Sequence, residues 1–283
     1  MWRDILQKLL FERERNKYTL TGERAKEGQI TLEYWSKKTN LGDALALVVY
    51  EWMLKQHFNY EQDSALSRGE ITHLMTVGSI LNMGDFDATV WGSGILSVGV
   101  LKEIYNKAQY RRLDIRAVRG PITRAILENA GYMVPEIYGD PGILMPFVYK
   151  PDHIEKTIPY LIIPHYSQIE QFLSRGYKCL DIRTTDYRFF IDQMKKSRLI
   201  ISSSLHGIIL AEAYGIPAVL LNNNDIDLLK YYDYYFSTGR KSVKVASSIE
   251  EALNKGPMPL PDLSEMQKGL IESFPYDLFD TKI

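Results

Sequence analysis

The chain of 283 residues contains a single cysteine, Cys179. One thiol makes no intrachain disulfide, so nothing in the sequence calls for an oxidising compartment. No Cys/His cluster has the spacing of a zinc site, and no metal is expected. An excess of one charge is missing too: 34 Lys and Arg stand against 35 Asp and Glu, a net charge of −1. Such a chain has no global field to attract nucleic acid, and none is expected as a partner. No apolar run approaches the roughly 20 residues that span a bilayer. Nucleotide motifs are absent as well. There is no GxGxxG with an acid at the right distance and no GxxxxGK[ST], which counts against a dinucleotide oxidoreductase or a P-loop enzyme.

What is present is an ordinary globular composition, 45% hydrophobic and 24% charged. The first 28 residues read as an N-terminal helical segment. Trp2, Ile5, Leu6, Leu9 and Leu10 fall at helical spacing among Arg3, Lys8, Arg13 and Arg15. They lack the continuous apolar stretch of a secretory leader, so the expected location is the cytoplasm. Two readings of residues 2–10 stay open. The helix packs on the body or on a second subunit of a homo-oligomer, or it lies on an anionic membrane at the inner face of the cell envelope.

Beyond it, strand patterns at 29–35, 71–79, 88–94, 114–121 and 136–144 alternate with helices at 43–58 and 121–131. The pattern restarts after "KPD" at 150–152, with strands at 159–167, 177–183, 198–204 and 216–222. Alternating strands and helices imply right-handed βαβ units and parallel sheets. The expected fold class is α/β, with two doubly wound, Rossmann-like domains facing a cleft. They span 29–150 and 151–250, and closing helices occupy 251–283. The stretch "NNNDIDLLKYYDYYF" (222–236) reads as a surface loop with a short helix.

In open parallel sheets, ligands sit beyond the carboxyl ends of the strands, near helix N-termini. The unusual polar clusters of this chain fall at such points. Asn40, Gly42 and Asp43 follow the first strand, and Gly78 and Ser79 the second. Gly92, Ser93 and Gly94 follow the third, Arg119 and Arg124 the fourth. Asp140 lies in "GDPG", and His165 follows the first strand of the second half. The densest cluster is "SSSLHG", with Ser203, Ser204, Leu205, His206 and Gly207, and Glu212 stands further along the same helix. Each also has a bland reading: a glycine turn, a serine or aspartate cap, an arginine that positions a helix. His57, His73 and His153 read as incidental.

"NLGD", "WGSG", "RGPITR", "GDPG" and "SSSLHGIILAEAYGIP", in this order over roughly residues 30 to 225, resemble the polysaccharide pyruvyl transferase family. That resemblance implies a GT-B-like pair of domains. It implies transfer of the pyruvyl group of phosphoenolpyruvate to two hydroxyls of a sugar, giving a cyclic ketal. The acceptor would be an exopolysaccharide, a capsule or a lipid-linked precursor. Phosphoenolpyruvate is the donor substrate, and no cofactor is expected. On this reading His206 is the acid, Arg119 anchors the donor, and Asp140 or Asp43 faces the cationic carbon. Some relatives carry an arginine two residues before the histidine, where it holds the donor. Here that residue is Ser204, so another cation such as Arg119, Arg124 or Arg183 takes over, or the donor differs. Two other readings are a GT-B-type glycosyltransferase using a nucleotide sugar and a non-catalytic ligand-binding relative.

Overall fold

The computed structural model describes residues 15–26, 28–58, 72–222 and 227–279. The helix expected over residues 2–10, with its membrane or subunit contact, lies outside the described residues. The first half runs β1 (Thr31–Glu33), α1 (Leu41–Phe58), β2 (His73–Met75), β3 (Ala88–Trp91), α2 (Leu101–Ala108), β4 (Leu113–Ala117) and α3 (Pro121–Asn129). A 3-10 turn at Pro141–Leu144 and the short α4 (Met145–Val148) lead into the second half. There β5 (Leu161–Ile163), α5 (Ile169–Ser174), α6 (Tyr187–Lys195), β6 (Ile200–Ser202), α7 (Leu205–Ala213) and β7 (Ala218–Leu221) follow. The chain closes with α8 (Leu229–Ser237), β8 (Val245–Ala246), α9 (Ile249–Lys255) and α10 (Ser264–Ser273).

The architecture is mixed α/β with two parallel four-stranded sheets, β1-β2-β3-β4 and β5-β6-β7-β8. The first runs in chain order and shows no reversal among the described residues. The second does reverse. A parallel bridge from Ile162 to Cys179 places the 177–183 segment on the outer side of β5, while β6 pairs on its inner side. Chain direction therefore switches between β5 and β6, and a crevice opens at their carboxyl ends.

Two expected strands shrink to single bridges. The 177–183 segment bridges only through Cys179, and 136–144 only through Tyr138, which pairs with Val118. Pro141 explains the second case. It has no N–H for a ladder, and Asp140 caps the turn instead by accepting from the Gly142 N–H at 2.9 Å. The 222–236 stretch also departs from expectation. Its described part is α8, whose Tyr231, Tyr234 and Tyr235 are buried rather than on the surface.

One apolar core joins the halves. Leu41, Leu45 and Val49 of α1 share it with Ile208, Ile209 and Leu210 of α7. The Leu41 N–H donates to the Ile182 carbonyl at 2.9 Å, so the start of α1 is fastened to the second half. The closing helix α10 returns to the first half, a placement the sequence does not show. The Trp91 indole donates to the Leu270 carbonyl at 2.9 Å and meets Phe274 edge-on at 4.9 Å. Among the described residues no helix is long and apolar enough to cross a membrane.

Candidate functional site

The starts of α1 and α7 meet where the halves join. Asn40 precedes α1, and its amide donates to Asp43 Oδ2 at 2.7 Å, which aims the carboxylate of Asp43 within the first turn. Opposite, Ser204 leads into α7, and His206 stands in its first turn. The two helices approach so closely that residue 42 must be glycine: a Cβ there would lie 2.0 Å from His206 Nδ1. His206 Nε2 points the other way, toward Oδ2 of Asp140 at 3.5 Å. Neither atom has a hydrogen-bond partner among the described residues, and Asp140 is fully buried. The carboxylate thus stands behind the ring and orients it.

A cleft of about 490 Å³ opens over this junction. The first half lines it with Asn40, Asp43, Gly78 and Ser79, and the second with His165, Ser204, Leu205 and His206. Trp35, Tyr166, Asp227 and Lys230 complete much of the rim. Burial raises the Asp43 carboxyl above its usual range, while His206, Asn40 and Lys230 oppose the shift. Burial, aided by the charge of Lys230, lowers His165 to about 4 and keeps it neutral. The free N–H groups that open α7 and the imidazole of His206 make this end of the cleft suited to an anion.

Eight of the expected residues line the cleft: Asn40, Asp43, Gly78, Ser79, His165, Ser204, Leu205 and His206. The rest sit elsewhere, for definite reasons. Arg119 does not face the cleft and is no donor anchor here. It is fully buried, its Nε donates to Asp233 Oδ2 at 3.1 Å, Nη1 to Ser79 Oγ at 2.6 Å, and Nη2 to the Ile95 carbonyl at 2.7 Å. Gly94 gives the guanidinium room, since a Cβ there would lie 2.3 Å from its central carbon. Asp140 lies behind His206 and does not line the cleft, whereas Asp43 does.

Arg124 pairs with Glu128 at 3.0 Å and Glu136 at 2.6 Å, away from the cleft. Arg183 is likewise taken, by Asp181 at 2.7 Å and Glu170 at 2.9 Å. Glu212 meets Arg240 at 2.7 Å and the Tyr234 hydroxyl at 2.8 Å, both inside the second half. Ser93 donates to the Gly78 carbonyl at 3.0 Å, and Gly92 packs on Pro141, so "WGSG" is a buried turn that shapes the wall. Ser203 donates to Gln168 at 2.6 Å and accepts from the His165 N–H at 2.9 Å, holding the two strand ends together. Gly207 lets α7 lie on β5 and β6, with Ile163 Cγ2 2.9 Å and Ser202 Oγ 2.4 Å from where a Cβ would be.

The sequence pattern reads as surface over 222–236, so Lys230 and Asp227 are not expected at the cleft. The signal was there: Tyr231, Tyr234 and Tyr235 fall at helical spacing, which marks a buried face.

The family model for polysaccharide pyruvyl transferase matches residues 89–225. Among curated proteins, the chain is 30% identical over 219 residues to uncharacterized protein L143 of Acanthamoeba polyphaga mimivirus, covering 73% of each. It is 27% identical over 239 residues to the succinoglycan biosynthesis protein ExoV of Rhizobium meliloti, covering 79% of this chain and 70% of that one. A solved structure, protein KP1_0663 of Klebsiella pneumoniae, aligns with a TM-score of 0.46 at 12% identity, over 87% of this chain and 98% of that one. With a family model over residues 89–225 and curated relatives matching 73% and 79% of its length, the chain belongs to the polysaccharide pyruvyl transferase family.

Proposed function

We propose that the chain transfers the pyruvyl group of phosphoenolpyruvate to two hydroxyls of a saccharide acceptor in polysaccharide biosynthesis. The observation that supports this most is the His206–Asp140 pair at the opening of α7, inside a cleft between the two halves. The two sheets are read as GT-B-like domains divided near residue 150, with the donor over the second.

The steps follow from the residues. His206, which lines the cleft, gives a proton to the methylene carbon of the donor, and Asp140 behind it orients the ring. Positive charge develops at C2, where the carboxylate of Asp43 opposes it. An acceptor hydroxyl adds to C2 and loses its proton. The bond from C2 to the phosphate oxygen then breaks, and the phosphate leaves toward the N–H groups of α7. A second hydroxyl closes the ring. Of the two acceptor protons, one ends on the methyl group through the acid and one on the phosphate, so the reaction balances.

The acceptor fits the side of the cleft bounded by Trp35. A second cavity of about 310 Å³ shares Trp35 and Asn40 with the cleft and adds Tyr34 and Tyr187. Aromatic faces with polar neighbours suit sugar rings. A succinoglycan biosynthesis protein among the relatives agrees with a saccharide acceptor.

Thermal unfolding with phosphoenolpyruvate and, separately, with UDP-, GDP- and CMP-sugars tests the donor. A ligand of the folded state raises the midpoint with its saturation. Stabilisation by phosphoenolpyruvate alone is expected. Stabilisation by a nucleotide sugar alone replaces this reading with glycosyl transfer, and stabilisation without turnover toward any saccharide favours a binding protein.

A further inference from the structure

Every arginine proposed for the donor is engaged elsewhere: Arg119 with Asp233, Arg124 with Glu128 and Glu136, Arg183 with Asp181 and Glu170. Ser204 brings no charge to the opening of α7. A donor with a carboxylate and a phosphate nevertheless needs a cation in the cleft.

Lys230 is placed to be it. It stands in the first turn of α8, lines the cleft with Ser79, Ser204 and His206, and is half-buried. Its ammonium makes no hydrogen bond or ion pair within 4.0 Å among the described residues. It lies over the Tyr231 ring, 5.2 Å from the centroid. A half-buried ammonium that lines a cleft without a charged partner is open to an anionic ligand.

The fold builds the position. Asp233, one turn along α8, accepts from the Thr123 N–H at 2.9 Å and the Thr123 hydroxyl at 2.6 Å, besides Arg119. Gly120 lets the backbones touch: a Cβ there would lie 2.0 Å from the Asp233 carbonyl oxygen. "RGPIT" thus clamps the helix that carries Lys230 to the wall that carries Ser79. Lys230 and Asp233 both lie beyond the residues that the family model matches.

We propose that Lys230 is the cation that binds an anionic group of the donor in this chain, held there by the Arg119–Asp233–Thr123 clamp. This rests on the donor being phosphoenolpyruvate. Burial, together with the positive charge of Arg119, lowers Lys230 to about 8, while Asp43 and Asp227 act in the opposite direction. His165 and His206 face it across the cleft.

Binding of phosphoenolpyruvate, inorganic phosphate and pyruvate is measured on wild type, Lys230→Met and Lys230→Arg by calorimetry and by the shift in unfolding midpoint. Wild type is expected to bind phosphoenolpyruvate, and Lys230→Met to weaken that binding about tenfold or more, a loss of about 1.4 kcal/mol. Lys230→Arg retains it within about threefold. Without ligand, Lys230→Met unfolds at or above the wild-type temperature, which a structural lysine would not do. Wild-type affinity falls as the pH rises past about 8, and that of Lys230→Arg does not, because guanidinium stays charged. The phosphate and pyruvate arms show which end of the donor the lysine holds. If Lys230→Met binds phosphoenolpyruvate within a factor of about two of wild type, the inference falls while the proposed function stands. If wild type does not bind phosphoenolpyruvate, the proposed function falls and takes this assignment with it. Should Lys230→Met not fold, the pH arm decides: a flat wild-type profile overturns the inference.

Discussion

The two walls of the cleft are built differently. On the first-half wall nearly every polar group is bonded to its own neighbours. Ser93 holds the Gly78 carbonyl, Arg119 holds Ser79, and Gly94 makes room for the guanidinium. On the second-half wall the ammonium of Lys230 has no ion pair among the described residues, and His206 Nε2 has no hydrogen bond there and faces Asp140 at 3.5 Å. Both walls carry equally suggestive glycine, serine and arginine motifs. The difference teaches that a motif at a strand end does not by itself distinguish scaffold from chemistry. At this cleft satisfied hydrogen bonding marks the scaffold, and an ammonium without an ion pair marks the group open to a ligand.

The comparison is broken most severely by removing Arg119. Arg119→Ala leaves the carboxylate of Asp233 buried and unpaired, an expected loss of about 3–5 kcal/mol. At about 2–4 °C per kcal/mol, a calorimetric scan should show a midpoint drop on the order of 10 °C. A cleft arginine would instead leave the midpoint nearly unchanged and raise the KM for the donor. His206→Asn should act in the opposite manner. Loss of the acid is expected to lower kcat by about 10²–10⁴, with unfolding close to wild type. Phosphate release in the presence of acceptor reads the rate, and a fall of under about tenfold moves the acid to another group, with Asp43 next in line.

Gly42→Ala sharpens the contrast more gently. The new methyl would occupy the place of His206 Nδ1 and push the ring out of its place between Gly42 and Asp140. Misplacement on the order of 1 Å costs up to about 100-fold in rate, so a loss of tenfold to 100-fold in kcat with little change in donor affinity is expected. The smallest effect concerns His165. Its folded-state value lies near 4, below the unfolded value near 6.5. Between those values the unfolded chain binds the proton first, so acidification removes stability in that window. His165→Gln should flatten the dependence of the unfolding midpoint on pH between about 6.5 and 4. An unchanged slope would show that His165 does not titrate in this way.

Local sequence determined much of the framework. Period and apolar runs located β1 to β7, and Pro121 and Gly131 bounded α3, because these signals depend on residues close in the chain. The motifs also located His206, Asp43 and Asn40 at strand ends and helix starts, where a parallel sheet puts its ligands. Failures came where distant segments decide. The bridges at Tyr138 and Cys179 stay single because pairing depends on the strand beside them. Arg119 reads from sequence as a cation free to bind, and only the fold brings Asp233 to it from 114 residues away. Asp140 reads as a carboxylate for the cleft, and only the packing of the Pro141 turn under α7 places it behind His206. Lys230 reads as a surface lysine, and only the clamp on α8 turns it into the cleft. Local propensity chooses the elements. Charge pairing and burial act across the chain, so the identity of the groups left free for chemistry is set by tertiary structure alone.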